Sequence, residues 1–308
     1  MQKYLPVFLA LLLMACGNGS KKGAGTGERV LTVTIEPQRF FLEQIVGDRF
    51  TVNTLVPPGG SPETYAPPPS VMMDLGKSER YFQVGGLGFE DAWSRRLKEI
   101  NPDVTVVNCS QGIDLMEGHG HHHDEMEGHG HNHNHGDKEG HADLHEGLDP
   151  HVWTSPRAMK PFTRRMLEEV VAIDPGNEAL YRANYERLIQ LIERVDSTVQ
   201  LLLKDLPSRS FIIYHPALGY FARDYGLHQF SIEFEGKSPS PSQLKELVDI
   251  ARREKINTVF IQKGFDRKNA EVIASEIGAE LFVIDPLAYQ WDEEMIRIAT
   301  ILAREVDE

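Results

Sequence analysis

Between Asn177 and Leu206 the chain carries Tyr181, Tyr185, Leu188, Ile192, Val195, Val199, Leu202 and Leu206, spaced alternately four and three residues apart. That alternation places all eight side chains on one face of a helix. At 1.5 Å per residue the helix runs roughly 43 Å, enough to lie along two lobes. A coiled-coil dimer would use the same stripe, but no second segment matches it and few paired e and g charges flank it, so we read it as an intramolecular strut in a monomer. A length of 308 residues agrees with two domains.

On both sides of this segment short β-branched runs alternate with amphipathic stretches. Before it, Val30 to Glu36, Phe50 to Val56, Arg80 to Val84 and Val104 to Asn108 read as strands. Helices are expected from Pro37 to Gly47, from a Ser70 cap to Lys77, from Phe89 to Ile100, and from Ser155-Pro156 to Ile173. After it, Ser210 to Tyr214, Leu227 to Ile232, Asn257 to Gln262 and Glu280 to Ile284 are strands. Helices near Pro216 to Tyr225, Pro241 to Glu254, Arg267 to Gly278 and Asp292 to Val306 separate and follow them. Such alternation implies an α/β chain whose parallel sheets are covered on both faces. The expected architecture is two lobes, each with a parallel sheet of about four strands flanked by helices, bridged by one long helix. The divisions are a signal peptide (1–15), a tether (16–29), an N-terminal lobe (30–176), the linking helix (177–206) and a C-terminal lobe (207–308).

The N-terminus has Lys3, an apolar run from Tyr4 to Ala15, and then Leu13-Met14-Ala15-Cys16, the pattern of a bacterial lipoprotein signal cleaved before Cys16. A dozen apolar residues are too few for a spanning helix. Acylation of Cys16 would leave an exported protein anchored to the membrane through lipid, facing the periplasm or the cell exterior. Cys109, the other cysteine, then has no partner and reads as a small buried hydrophobe.

Within the first lobe, residues 117–146 hold ten of the thirteen histidines: His119, His121, His122, His123, His129, His131, His133, His135, His141 and His145. Glycines and acids surround them, with too little apolar surface to order the loop without a ligand. Clustered imidazoles and carboxylates offer overlapping auxiliary sites for zinc, copper or nickel. Eight acids against Lys138 give this loop half of the formal charge of −14. The remainder is only mildly acidic, and nucleic acid is not an expected partner.

Ligands of open α/β sheets bind outside the carboxyl ends of the strands. Four metal-capable side chains follow strands in this way: Glu63 after the second, His151 after the loop leaving the fourth, His215 after Phe211-Ile212-Ile213-Tyr214, and Asp285 after Leu281-Phe282-Val283-Ile284. Two come from each lobe. Two imidazoles and two carboxylates can close a tetrahedral site for a divalent ion, at about 2.0 to 2.2 Å if it is zinc. With imidazoles at their reference value near 6.5, binding is expected to weaken below about pH 6.

Several segments resemble those of the zinc-specific solute-binding proteins of bacterial ABC transporters. They are Gly85-Gly86-Leu87-Gly88-Phe89-Glu90-Asp91-Ala92-Trp93, Asp149-Pro150-His151-Val152-Trp153, Tyr214-His215-Pro216-Ala217-Leu218-Gly219-Tyr220-Phe221, Ser238-Pro239-Ser240-Pro241 and Ile284-Asp285-Pro286-Leu287. The resemblance runs from about Val30 to the C-terminus. It implies metal held between two lobes joined by a rigid helix, delivery to a membrane permease with its ATPase, and no enzymatic activity. One segment departs from the family: Ser61-Pro62-Glu63 stands where it has Asp-Pro-His, so Glu63 takes the place of a zinc-binding histidine. Two nitrogens and two oxygens would also suit manganese. His215 and the histidine loop favour zinc, because the manganese-type relatives place a carboxylate at the third position.

Three other readings share some of these features. A manganese-binding protein of the same family would use the same donors, and a surface zinc buffer would need the loop but no cleft. A mononuclear zinc hydrolase would need an open position for water and a general base, and the chain has no HExxH spacing. Gly86-Leu87-Gly88 lacks the third glycine of a dinucleotide fingerprint.

Overall fold

The computed structural model describes residues 29–118, 147–206, 208–233 and 239–304. The leader with Cys16, the ten loop histidines from His119 to His145, and Ser238 lie outside the described residues.

Two four-stranded sheets form, in the orders β2-β1-β3-β4 and β6-β5-β7-β8, with every pairing parallel. The first comprises β1 (Val30–Val33), β2 (Thr51–Thr54), β3 (Arg80–Gln83) and β4 (Thr105–Asn108). The second comprises β5 (Ser210–Ile213), β6 (His228–Ser231), β7 (Thr258–Gln262) and β8 (Glu280–Ile284). The central strands β5 and β7 are buried at every residue, as strands covered on both faces must be. In each sheet the chain steps outward from the first strand and then crosses back, so the order reverses between β1 and β3 and between β5 and β7.

The helices are α1 (Glu36–Val46), α2 (Pro69–Leu75), α3 (Gly88–Ile100), α4 (Met159–Ile173), α5 (Glu178–Leu202), α6 (Gly219–Tyr225), α7 (Pro241–Arg253), α8 (Lys268–Ile277) and α9 (Trp291–Leu302). Helix α7 starts where its sequence dictates: Pro241 takes the first turn, and Ser240 Oγ accepts the Gln243 N–H while Gln243 Oε1 accepts the Ser240 N–H. Other starts differ from expectation, and α6 begins at Gly219 instead of near Pro216. Ser70 lies inside α2, because Pro68-Pro69 sets the extended entry and Pro68 is the N-cap. Ser155 begins a turn instead of α4: its hydroxyl accepts the Ala158 N–H at 3.0 Å, and the regular helix follows at Met159.

Helix α5 buries Tyr181, Leu188, Ile192, Val195 and Val199. It ends at Leu202, four residues short of the expected limit, where Leu203 caps back onto Val199 and Leu206 packs as non-helical chain. Its stripe meets α1 and α4 of the first lobe and α9 of the second, and one apolar core runs continuously from the first sheet through α5 and α9 to the near face of the second. Burying each such aliphatic side chain contributes roughly 1.5–3 kcal/mol, so the helix binds the lobes together along its length. A smaller core, from Ile212, Ile232, Leu247, Val259 and Ile273, fills the far side of the second sheet.

Polar staples complete the junction beneath the cleft. Trp153 Nε1 donates to Pro286 O at 3.0 Å, while Trp291 Nε1 donates to Trp153 O at 2.7 Å. Tyr220 OH donates to Asp149 O at 2.6 Å and accepts the Met116 N–H at 3.0 Å. Both tryptophans are fully buried, so these bonds form out of competition with water.

Candidate metal centre

Each donor reaches the cleft for a local reason. Glu63 rides on the loop after β2, where Gly59 adopts φ +81° and the Gly60 N–H closes a turn on Pro57 O at 2.9 Å. His151 follows the narrow bridge between Glu117 and Leu148 that closes the base of the histidine loop. Beneath it lies Gly85-Gly86: the buried Glu90 carboxylate accepts the Val84 and Gly85 N–H groups at 2.8 Å, and the Asn108 side chain occupies the space of any Gly85 Cβ. Gly86 adopts φ +97°, a backbone conformation that favours glycine. These glycines thus let the β3–α3 turn support the segment carrying His151. His215 lies two residues beyond β5, where its backbone N–H reaches Gln262 Oε1 at 3.3 Å and its carbonyl accepts from Gln262 Nε2 at 2.5 Å.

A carboxylate aims each imidazole. Asp149 Oδ1 accepts the His151 backbone N–H at 2.9 Å and lies 2.7 Å from its Nδ1. Glu233 Oε2 lies 3.1 Å from His215 Nδ1, and Phe265 stacks on that ring at 5.8 Å and 14°. With both Nδ1 atoms so engaged, both Nε2 atoms face the cleft, the arrangement by which outer carboxylates fix metal-ligating histidines.

Glu63 Oε1 lies 2.8 Å from His215 Nε2 and 3.3 Å from His151 Nε2, and the two Nε2 atoms are 3.2 Å apart. Among the described residues, Glu63, His151 and His215 form the one group of three metal-capable donors. Bonds of about 2.0–2.1 Å to a tetrahedral ion separate its ligands by about 3.3 Å, close to this triangle. Asp285, the fourth residue expected from the sequence, lines the same cavity of about 410 Å³ but stands outside the triangle. Its Oδ2 lies 3.7 Å from Lys263 Nζ.

The triangle also shares protons. For His151, burial opposes the charged form most strongly, but the bonds to Asp149 and Glu63 outweigh it and lift the imidazolium pKa to about 9. His215 is raised likewise: burial opposes its charge, and Glu233 and Glu63 outweigh it. Glu63 moves the other way. Burial would raise its carboxyl, yet the two histidines hold it well below the usual carboxylate range. Both imidazoles therefore keep protons to higher pH than the reference value implies, and an arriving ion must displace them. The expected weakening below about pH 6 moves upward accordingly.

Cys109 is wholly buried, its thiol pushed up by burial and touched by Gln38 Nε2 at 3.9 Å. No sequence motif assigns roles to Asp149, Glu233, Gln262 or Lys263. Glu233 lies two residues past β6, and Gln262 and Lys263 at the end of β7, so the strand-end rule that found the donors reaches these residues as well.

The ZnuA family, zinc-uptake complex component A periplasmic, matches residues 31–300. The high-affinity zinc uptake system protein ZnuA of Bacillus subtilis (strain 168) is 31% identical over 284 residues, covering 90% of this chain and 85% of that protein. A manganese-binding lipoprotein of Halalkalibacterium halodurans is 25% identical over 283 residues, covering 90% of this chain and 86% of its own length. A zinc-bound crystal structure of a ZnuA deletion mutant superposes with a TM-score of 0.78 at 35% identity, covering 90% of this chain and 97% of that one. Built as two parallel sheets on one long helix and matched over nearly all of its described length, the chain belongs to the ZnuA family of periplasmic zinc-uptake components.

Proposed function

We propose that Glu63, His151 and His215 capture one zinc ion between the lobes, with Asp285 turning in as the fourth donor, and that the chain delivers this ion to a membrane permease driven by its ATPase. The observation that carries the reading is the triangle of donor atoms at 2.8, 3.2 and 3.3 Å, with edges close to those of a zinc tetrahedron. Two imidazoles favour zinc over the harder manganese. The chain is the zinc-binding solute-binding component of an ABC-type uptake system, as its family and its zinc-binding relatives indicate. Four protein donors leave no vertex for a reactive water, so the site holds cargo and performs no chemistry on it. Acylation at Cys16 keeps the exported protein at the membrane. The ten loop histidines supply auxiliary sites that raise the local zinc concentration beside the cleft.

Calorimetry with zinc and manganese in competition tests this function. One tight zinc equivalent is expected, and zinc at 1,000 times its dissociation constant should stabilise the fold by about 4 kcal/mol. His151→Ala and His215→Ala should each abolish the rise in melting temperature. If both variants kept that rise, the cargo would be bound elsewhere.

A further inference from the structure

Lys263 is the only lysine or arginine among the described residues lining the metal-centre cavity, which it shares with Glu63, Glu233 and Asp285. A second cavity of about 170 Å³ adjoins the first, and Lys263 and Asp285 border both. The pair thus forms part of the wall between the two. Its backbone is held on both sides: the Asp285 N–H donates to Glu294 Oε1 at 2.7 Å, and the Lys263 N–H to Ile284 O at 2.9 Å. Glu294 is in turn buried and clamped by Arg297 at 2.7 Å. The main chain is thereby fixed, and rotation of two side chains is what remains free. The lysine side chain is 68% exposed and the aspartate 36%, so the ammonium can swing into water at little cost.

We propose that Lys263 competes with the incoming metal ion for the Asp285 carboxylate. Its ammonium holds the Asp285 carboxylate away from the Glu63, His151 and His215 triangle until an incoming divalent ion displaces it. The inference rests on Asp285 being the fourth donor. Two cations then compete for one carboxylate. The divalent ion prevails because three further donors hold it, while the displaced ammonium stays nearby as a positive charge that favours letting the ion go. Lys263 on this account tunes cargo retention: it lowers the affinity of a site that must also release what it binds.

The test uses the full-length protein, with zinc as the probe in competition against a fluorescent chelator, and release followed after excess chelator. Removing a like charge several ångströms from the ion should tighten binding about three- to tenfold. Lys263→Gln should show this gain, with release slowed correspondingly, and Lys268→Gln, at an exposed position outside both cavities, should not. Asp285→Ala tests the fourth-donor reading by itself: unchanged zinc affinity would remove that reading whatever Lys263 does. With Asp285→Ala weakened as expected, Lys263→Gln added to it should give less than half the gain seen in the parent. An unchanged or weaker affinity in Lys263→Gln alone overturns the proposal, as does an equal gain in both backgrounds.

Discussion

Zinc capture should consume base, and His151 sets the amount. The side chain is 7% exposed, with a carboxylate on its Nδ1 side and another near Nε2, and its pKa stands at about 9. Zinc needs the neutral ring. Affinity should therefore rise about tenfold per pH unit between pH 7 and 9, and at pH 7 lie about a hundredfold, or ~2.7 kcal/mol, below its plateau. His215, also raised, steepens that slope. The empty fold depends on pH in the opposite sense. A group whose folded pKa exceeds its unfolded value stabilises fully below about 6.5, and on the order of 3 kcal/mol is lost as pH rises through about 9. Calorimetry at pH 7.5 in buffers of different ionisation enthalpy counts the protons released, and about one from His151 is expected. Asp149→Asn removes the charge that lifts this ring and should bring its share below about half a proton. Zero protons at pH 7.5, or an affinity flat from pH 7 to 9, would refute the proton-sharing triangle.

Glu63→His should keep zinc binding and weaken manganese binding, because a third nitrogen favours the borderline ion, whereas Glu63→Ala should weaken both; competition calorimetry separates these outcomes. Excising residues 119–146 should remove the weaker zinc equivalents and leave the tight one. Gly118 N–H already bonds Gly147 O at 2.6 Å across the loop base, and loop closure changes stability by only about 0.6 kcal/mol per doubling of length. Loss of the tight equivalent would place a loop histidine in the primary site. Trp291→Phe should cost about 2 kcal/mol in urea denaturation, since it leaves the buried Trp153 carbonyl without its donor at 2.7 Å; a change below about 0.5 kcal/mol would show that the staple is dispensable.

The alternation of strands and helices, the long helix, and the placing of four metal-capable side chains in segments that follow strands were legible in the sequence because each is a local pattern. Periodicity of 3.6 or 2 states which face is apolar, and residues just past a strand, as His215 and Asp285 are, come to the carboxyl edge of its sheet, whereas Glu63 and His151 sit farther along the loops that leave β2 and β4. Where two local signals competed, the stronger won. Pro68-Pro69 overrode the Ser70 cap, and the Ser155 turn delayed α4 to Met159. The glycines at 85 and 86 were visible as a motif, but what requires them, close approach of Asn108 at Gly85 and a φ of +97° at Gly86, was not.

Tertiary structure decided the rest. Glu63, His151 and His215 lie 88 and 64 residues apart in the chain; the fold of the first lobe brings Glu63 to His151, and docking of the lobes through α5 and the tryptophan staples brings His215 to both, so that all three donor atoms lie within 3.3 Å. Pairing of β7 with β8 set Asp285 beside Lys263 within the second lobe, and the fold of each lobe placed Asp149 behind one imidazole and Glu233 behind the other. The sequence by itself determined which side chains are of metal-capable type and which strand each of their segments follows. It could not determine how tightly protons compete for them, because a pKa depends on burial and on the distance to charges contributed by other segments, quantities that exist only once the chain has folded.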